Sequence, residues 1–422
     1  MKRLLTVLSL LAMTLAVAAQ TVVSGVVTDR RTGRPLSHVN IYVGVATADS
    51  VSGGSAAESG SVHTVTNDDG RFTLKSGQRP QYVQLTHIGY RTLRHPLGDG
   101  PTEGLKLAMT ASSVELEEVI VSAGDALAIV KAAMRSIEKN YPGEPELARC
   151  FYRETARRGS RFISVAEAVV DMYKSSYRFG PGHDVVAILK GRRLMSMKAS
   201  DTLGVKIQGG PVMPLVVDVA KNPDYMLNME QLALCGLHTE TPVRIGDRLQ
   251  YVVSVTPRAD TPYPMMGGRL YIDQQTLAFT RAELQLDMSD WRKASAYMLV
   301  HKPQGLRFRP KELSVTVVYE TDEKGVTRMS YARNVMRFNC DWRRRLFASS
   351  FTTVCEMVVT ERLQKGSDAK PPRGRSTFGI KERFYDRVEY FDDPAFWADY
   401  NIIEPTESLE HAIDKLKKNI SK

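Results

Sequence analysis

Residues 24–43 read Ser24-Gly25-Val26-Val27-Thr28-Asp29-Arg30-Arg31-Thr32-Gly33-Arg34-Pro35-Leu36-Ser37-His38-Val39-Asn40-Ile41-Tyr42-Val43. The pattern is a strand, a Gly/Pro-punctuated turn and a second strand. Val39, Ile41 and Val43 of that second strand share one face, because side chains alternate across it. The pattern resumes at Thr64, where a second turn, Asn67-Asp68-Asp69-Gly70, precedes alternating Phe72 and Leu74. Tyr82 to Arg91, Gly104 to Leu107 and Leu116 to Val121 supply further strands, the last closing the unit. Residues 44–63, rich in Gly, Ser and Ala, offer almost nothing to bury and read as a surface loop. Short alternating segments separated by turn residues predict a small β-sandwich.

Ahead of this unit, Lys2 and Arg3 precede an apolar run, Leu4 to Val17, that ends in Ala16-Val17-Ala18-Ala19. A basic start, an apolar centre and a small-residue end together predict a signal peptide over 1–19, cut after Ala19. No Cys follows the run, which argues against a lipid-anchored N-terminus. The expected location is the periplasm or the periplasmic face of the outer membrane. No later stretch approaches the roughly 20 apolar residues of a membrane helix.

With 422 residues, 43% hydrophobic and 25% charged, the chain has the length for several domains and a composition that excludes wholesale disorder. Its formal net charge is +10, but clusters such as Arg192-Arg193 and Arg343-Arg344-Arg345 are too short and scattered for a nucleic-acid groove. Four cysteines, Cys150, Cys235, Cys340 and Cys355, permit three full pairings in an exported protein, and Cys340 with Cys355 on neighbouring strands is the first expectation.

Residues 21–122 resemble the carboxypeptidase-regulatory-like, or transthyretin-like, β-sandwich found at the front of many exported Bacteroidetes proteins. The resemblance is carried by Gly25-Val26-Val27-Thr28-Asp29, Thr32-Gly33-Arg34-Pro35-Leu36, Val39-Asn40-Ile41, Thr66 to Phe72, His87-Ile88-Gly89-Tyr90 and Leu116-Glu117-Glu118-Val119. It implies a fold and no activity.

From Asp125 to Tyr141 the apolar residues Leu127, Val130, Met134, Ile137 and Tyr141 fall at helical spacing, and Asp125 can cap the first turn, so 123–142 reads as a connecting helix. Residues 143–364 read mainly as strands: Phe151 to Thr155, Phe162 to Tyr173, Tyr251 to Val255, Gly268 to Leu286, Lys311 to Tyr319, Arg328 to Phe338 and Ser350 to Thr360. A less regular region from Lys190 to about His238 is expected to hold short helices around Val217 to Met229. The order of elements loosely resembles the lipoprotein-carrier type of half-barrel, in which a curved antiparallel sheet wraps an apolar concavity. Residues 365–422 read as a polar linker, an aromatic-rich lock around Phe396, Trp397 and Tyr400, and a final helix with Leu409, Ile413, Leu416 and Ile420 on one face. The fold class is therefore mainly β (α+β): a sandwich of the seven-stranded type, then a large antiparallel sheet domain of half-barrel type with a few helices.

None of the eight histidines belongs to an HExxH, and there is no CxxC, GxSxG or GxxxxGK[ST]. The contiguous acids of Asn67-Asp68-Asp69-Gly70 suit a tight turn better than calcium, whose loops alternate their ligands. No catalytic residue, metal or cofactor is expected. Arg153, Glu154 and Glu167 stand out because they interrupt strongly apolar strands, where an unpaired charge is costly. They read either as the polar lining of a ligand-binding concavity or as residues turned to solvent by strand alternation. The reading that follows is a non-enzymatic envelope protein binding a lipid, a lipoprotein chain or another apolar ligand. The alternative is an interaction module whose sandwich docks another envelope component, such as an outer-membrane protein. A hydrolase with a site assembled from distant residues ranks last.

Overall fold

Seven short strands build the front of the chain in the computed structural model, which describes residues 20–44, 62–112, 126–198, 206–207, 209–223, 227–258, 261–301, 303–342, 349–380, 382–390 and 396–420. They are β1 (Thr21–Asp29), β2 (Asn40–Gly44), β3 (Val62–Val65), β4 (Arg71–Ser76), β5 (Tyr82–Thr86), β6 (Leu93–Pro96) and β7 (Leu105–Met109). β1 pairs antiparallel with β4 and parallel with β7, while the facing sheet runs β3-β2-β5-β6. Val39, Ile41, Val43, Phe72 and Leu74, the alternating residues, all enter the core between the two sheets.

Turn chemistry explains why the strands reverse where they do. The Asp29 carboxylate accepts hydrogen bonds from the Thr32 backbone N–H at 2.6 Å and the Thr32 hydroxyl at 2.8 Å, and Gly33 takes the left-handed φ of 69° that closes the turn. Asn67 Oδ1 likewise accepts from the N–H groups of Asp69 and Arg71, so 67–70 is the tight turn its sequence implied. The signal-peptide stretch, most of the 44–63 loop, the Leu116 to Val121 strand and Asp125 lie outside the described residues.

The remaining elements are α1 (Ala126–Arg135), α2 (Ile137–Asn140), β8 (Glu146–Arg158), β9 (Arg161–Lys174), β10 (Val185–Met195), β11 (Lys206–Ile207), α3 (Met213–Val216), α4 (Met229–Ala233), β12 (Cys235–Ile245), β13 (Arg248–Pro257), β14 (Met266–Asp273), β15 (Phe279–Leu286), α5 (Trp291–Met298), β16 (Leu299–His301), β17 (Leu306–Thr321), β18 (Thr327–Trp342), β19 (Ser349–Lys365), β20 (Thr377–Phe378), β21 (Glu389–Tyr390) and α6 (Glu407–Ile420). Among the described residues, twelve strands form one sheet in the order β12-β13-β14-β15-β17-β18-β19-β8-β9-β10-β20, with β21 also on β10. The path is antiparallel and does not close on itself.

The sheet is strongly curved. Tyr319 on β17 and Tyr177 just beyond β9 both donate to the Asp218 carboxylate, at 2.8 and 2.9 Å. Their strands stand four spacings apart, roughly 19 Å in a flat sheet. The inner face carries α1, α2, the segment 209–223 and residues 378–380 and 382–388, whose Val130, Ile137, Val217, Val219, Phe378 and Phe384 join Tyr152, Val170 and Leu270 of the strands in one buried core. A second inner core, beneath α5, gathers Met298, Phe308, Leu313, Met336, Phe338 and Phe351. The outer face carries the sandwich and the C-terminal tail, with Val65 of β3, Trp397 and Ile403 packed on Phe151, Val169, Val318, Tyr331 and Val358. Leu409 and Leu416 of α6 cover Phe162, Val165 and Leu194.

Three expectations are corrected. Cys340 and Cys355 do not pair, and all four cysteines are free. The β18–β19 register sets Cys340 opposite Ser349 and Cys355 opposite Asn334, six residues or roughly 20 Å along the strand. The connecting helix breaks at Ser136, whose hydroxyl donates back to the Ala132 carbonyl at 2.9 Å and bends the chain between α1 and α2. The region after Lys190 is more regular than expected, since β10 runs to Met195; the short helices α3 and α4 border the 217–229 stretch, part of which lies outside the described residues.

Candidate functional site

Arg153, Glu154 and Glu167 do not come together. Arg153 and Glu154 are neighbours on β8 and so point to opposite faces, while Arg153 and Glu167 face each other across the β8–β9 ladder. Arg153 Nε donates to Glu167 Oε1 at 2.7 Å, and the other Glu167 oxygen accepts from Arg192 Nε at 2.8 Å and Trp397 Nε1 at 3.2 Å. Burial alone pushes the Glu167 carboxyl upward, but the guanidiniums of Arg153 and Arg192 outweigh it and hold the group below the usual carboxylate range. Arg153 also donates to the Ile403 carbonyl at 2.7 Å.

This cluster grips the tail. Residues 396–405 run between the sandwich and the sheet: Asn401 brackets the Lys75 backbone at 2.7 and 3.0 Å, Lys75 Nζ donates to the Trp397 carbonyl at 2.6 Å, and Asn67 Nδ2 donates to the Pro405 carbonyl at 2.9 Å. The aromatic lock read from Phe396, Trp397 and Tyr400 is thus present, with Phe151 meeting Trp397 edge-on at 5.6 Å. Glu154 alone turns inward, where the Tyr152 hydroxyl donates to it at 2.9 Å and burial raises its pKa.

A second contact joins the sandwich to the outer face. His63 Nδ1 lies 2.8 Å from the Val359 carbonyl and must carry the proton, which leaves Nε2 as an acceptor 3.4 Å from Glu320 Oε1. A carboxylic acid, not a carboxylate, complements that nitrogen. Burial accordingly lowers His63 to about 4 and raises Glu320 to about 8. Glu320 stays protonated in the folded chain while the unfolded chain ionises above its ordinary 4.5. Stability from this group is therefore complete below 4.5 and is lost as pH rises toward 8. Glu320→Gln, which keeps a donor, should match the native chain near pH 4.5 and exceed it by about 2–4 kcal/mol at pH 8 in urea titrations. An equal gain at both pH values would contradict the assignment.

On the inner face the chain covers most of its own concavity. The cover, 209–223, is fastened by a buried ionic cluster. Asp218, wholly buried, accepts from Lys174 Nζ and from the hydroxyls of Tyr177 and Tyr319. Lys221 Nζ donates to the Ser175 carbonyl at 2.7 Å and lies 3.6 Å from Asp184 Oδ1. Burial lowers Lys221 to about 8, but its side chain is fully enclosed, so the amine has no route to a substrate. The signal for this cluster was present: Asp218 interrupts the apolar run Pro214 to Ala220, and Lys221 ends it, just as Arg153 interrupts β8.

The other end of the cover spans a hollow at the seam between the two inner cores. Met213, Val216 and Val217 form its roof, Met266, Leu313, Val315, Asn334 and Met336 its sheet wall, and Tyr297 and Met298 of α5 one side. Its volume is about 30 Å³, room for one or two water molecules. That is far below the size of a ligand site, but four methionines make the lining adaptable. Two further clefts, about 700 Å³ around Glu146, Arg328 and Lys365 and about 690 Å³ around Arg258, Lys293 and Lys311, are mixed-charge surface grooves. Among the described residues no His, Cys, Asp and Glu groups are arranged to hold a metal ion, and no helix is long and apolar enough to cross a membrane.

No protein-family model matches the chain, and a search of curated proteins finds no relative. Among solved structures the chain is similar to a DUF1329 family protein from Desulfovibrio piger, at 11% identity and a TM-score of 0.21, over 55% of this chain and 92% of that one. It is similar to a LolA superfamily protein from Nitrosomonas europaea at 11% identity and a TM-score of 0.18, over 55% and 93%. It is similar to lipovitellin at 9% identity and a TM-score of 0.23, over 60% of this chain and 28% of that one. Superposition at this level carries no functional argument.

Proposed function

We propose that this is a non-enzymatic, exported envelope protein that holds an apolar chain, such as a lipid or lipoprotein acyl group, in the hollow beneath 209–223. On this reading the front sandwich is a carboxypeptidase-regulatory-like module, and the protein works in the periplasm or at the periplasmic face of the outer membrane. The observation that carries the reading is the methionine-lined hollow at the seam of two otherwise filled cores. The hollow as it stands takes no more than water, so a guest enters only as the flexible methionines and the 209–223 cover shift to admit it. The curved sheet supplies a rigid wall, and the cover is a separate segment that can yield without unpairing a strand.

The test is native mass spectrometry with organic extraction on the full chain purified gently from the cells that make it. A reproducible acyl-containing species is expected, and Val216→Trp, which fills the hollow from its half-buried roof position, should abolish it with the fold intact. A clean unliganded mass for the native chain would overturn the reading. The extent to which the chain fills its own concavity favours a second reading, in which the sandwich docks another envelope component. Recovery of one stoichiometric partner by crosslinking through the sandwich would support that alternative.

A further inference from the structure

We infer that the groove of about 700 Å³ between the start of β8, the β17–β18 turn and the end of β19 binds a small zwitterion, with an oxyanion seated on Arg362 and an ammonium group toward the carboxylates of the rim. The groove shares no residue with the hollow beneath 209–223, so what binds there is independent of the apolar guest proposed above.

Two arginines of the groove differ in how well they are partnered. Arg328 Nε donates to both Glu146 oxygens, at 2.7 and 3.0 Å, and its Nη1 donates to Asp322 Oδ2 at 2.5 Å and the Val326 carbonyl at 3.3 Å. Arg362 lines the same groove with far less to hold. Among the described residues its guanidinium makes one hydrogen bond, to the Met329 carbonyl at 3.3 Å. Its ion pair with Glu146 is 4.0 Å long, to a carboxylate that Arg328 already grips. Burial is the largest influence on Arg362 and lowers its pKa, and Glu146 opposes that only in part. A desolvated guanidinium with spare N–H groups is costly, and its planar fork matches a phosphate or carboxylate. An oxyanion from solution supplies what Glu146 does not.

The rim decides what that oxyanion is attached to. Glu144, Glu323 and Asp368 stand exposed there beside exposed Lys324 and Lys365. The deeper charges cancel, Arg328 and Arg362 against Glu146 and Asp322, while the rim has one carboxylate more than it has ammonium groups. A bare anion meets that excess on its way in, and a bare cation meets the guanidiniums below. A zwitterion complements both layers. The volume falls within the usual range for small-molecule sites.

The test is isothermal titration calorimetry on the full chain near neutral pH and at low salt. The probes are two zwitterions, glycerophosphoethanolamine and γ-aminobutyrate, and their single-charge counterparts dimethyl phosphate, butyrate and ethanolamine. At least one zwitterion should bind about tenfold tighter than either of its halves, and which one does so tells a phosphate site from a carboxylate site. Arg362→Gln should weaken that binding by about tenfold or more, and Arg362→Lys, which keeps the charge but not the fork, should restore it only in part. Glu144→Gln with Asp368→Asn, both at exposed positions, should bring the zwitterion and its anionic half within about twofold of each other. Zwitterions that bind no tighter than their halves overturn the inference. So does binding that survives in Arg362→Gln, or the absence of binding by every probe, and none of these results bears on the hollow.

Discussion

Replacing Glu167 with alanine should destabilise the protein by about 3–5 kcal/mol, as expected when one partner of a buried ion pair is removed. Glu167 is the common acceptor for Arg153, Arg192 and the Trp397 indole. Without it, two guanidiniums are left close together on the outer face, Arg153 almost wholly buried, with no carboxylate between them. Their mutual repulsion adds to the desolvation penalty. The tail should then loosen, because Arg153 would no longer be oriented to hold the Ile403 carbonyl. Urea titration measures the stability loss, and hydrogen exchange over 396–405 measures the loosening. A change below about 1 kcal/mol would mean that the cluster is solvated in solution and that the tail is held by Trp397 packing alone.

The second large effect is expected at the other face. Asp218→Ala should cost a similar amount, about 3–5 kcal/mol, because it strands the Lys174 ammonium and two tyrosine hydroxyls in a dry core. Unlike Glu167, Asp218 belongs to the cover itself, so its loss should free 209–223 and make that segment the first site of limited proteolysis. A double variant, Lys174→Met with Asp218→Leu, should recover part of the stability, since it removes both charges rather than one. If Asp218→Ala leaves the cover as protected as in the native chain, the apolar contacts of Met213, Leu215 and Val217 hold it without the ionic cluster.

These two clusters mark where reading residues in order stopped being sufficient. The charged interruptions of apolar strands at Arg153, Glu154 and Glu167 were correctly picked out as unusual. Alternation already separates Arg153 from Glu154. What alternation does not contain is the identity of the material on each face, so neither a shared ligand-binding lining nor exposure to solvent describes them. Arg153 and Glu167 meet a segment some 250 residues away, and Glu154 meets Tyr152 within its own strand. The cysteines make the same point: neighbouring strands were a fair expectation for Cys340 and Cys355, but pairing also needs register, which is set along the whole ladder.

The sequence alone determined the local features: the turns at Asp29 to Gly33 and Asn67 to Gly70, the core faces of the sandwich, the long antiparallel strands, the aromatic lock and the amphipathic final helix. Each is written in a few consecutive residues through period-two or 3.6 spacing and turn chemistry, which act over the length of one element. Tertiary structure decided that the tail lies between sandwich and sheet, that 209–223 covers the concavity, and that Asn334 faces a hollow. Those outcomes depend on which surfaces meet when a curved sheet closes over its own chain, and contacts across hundreds of residues leave no periodic mark in the sequence.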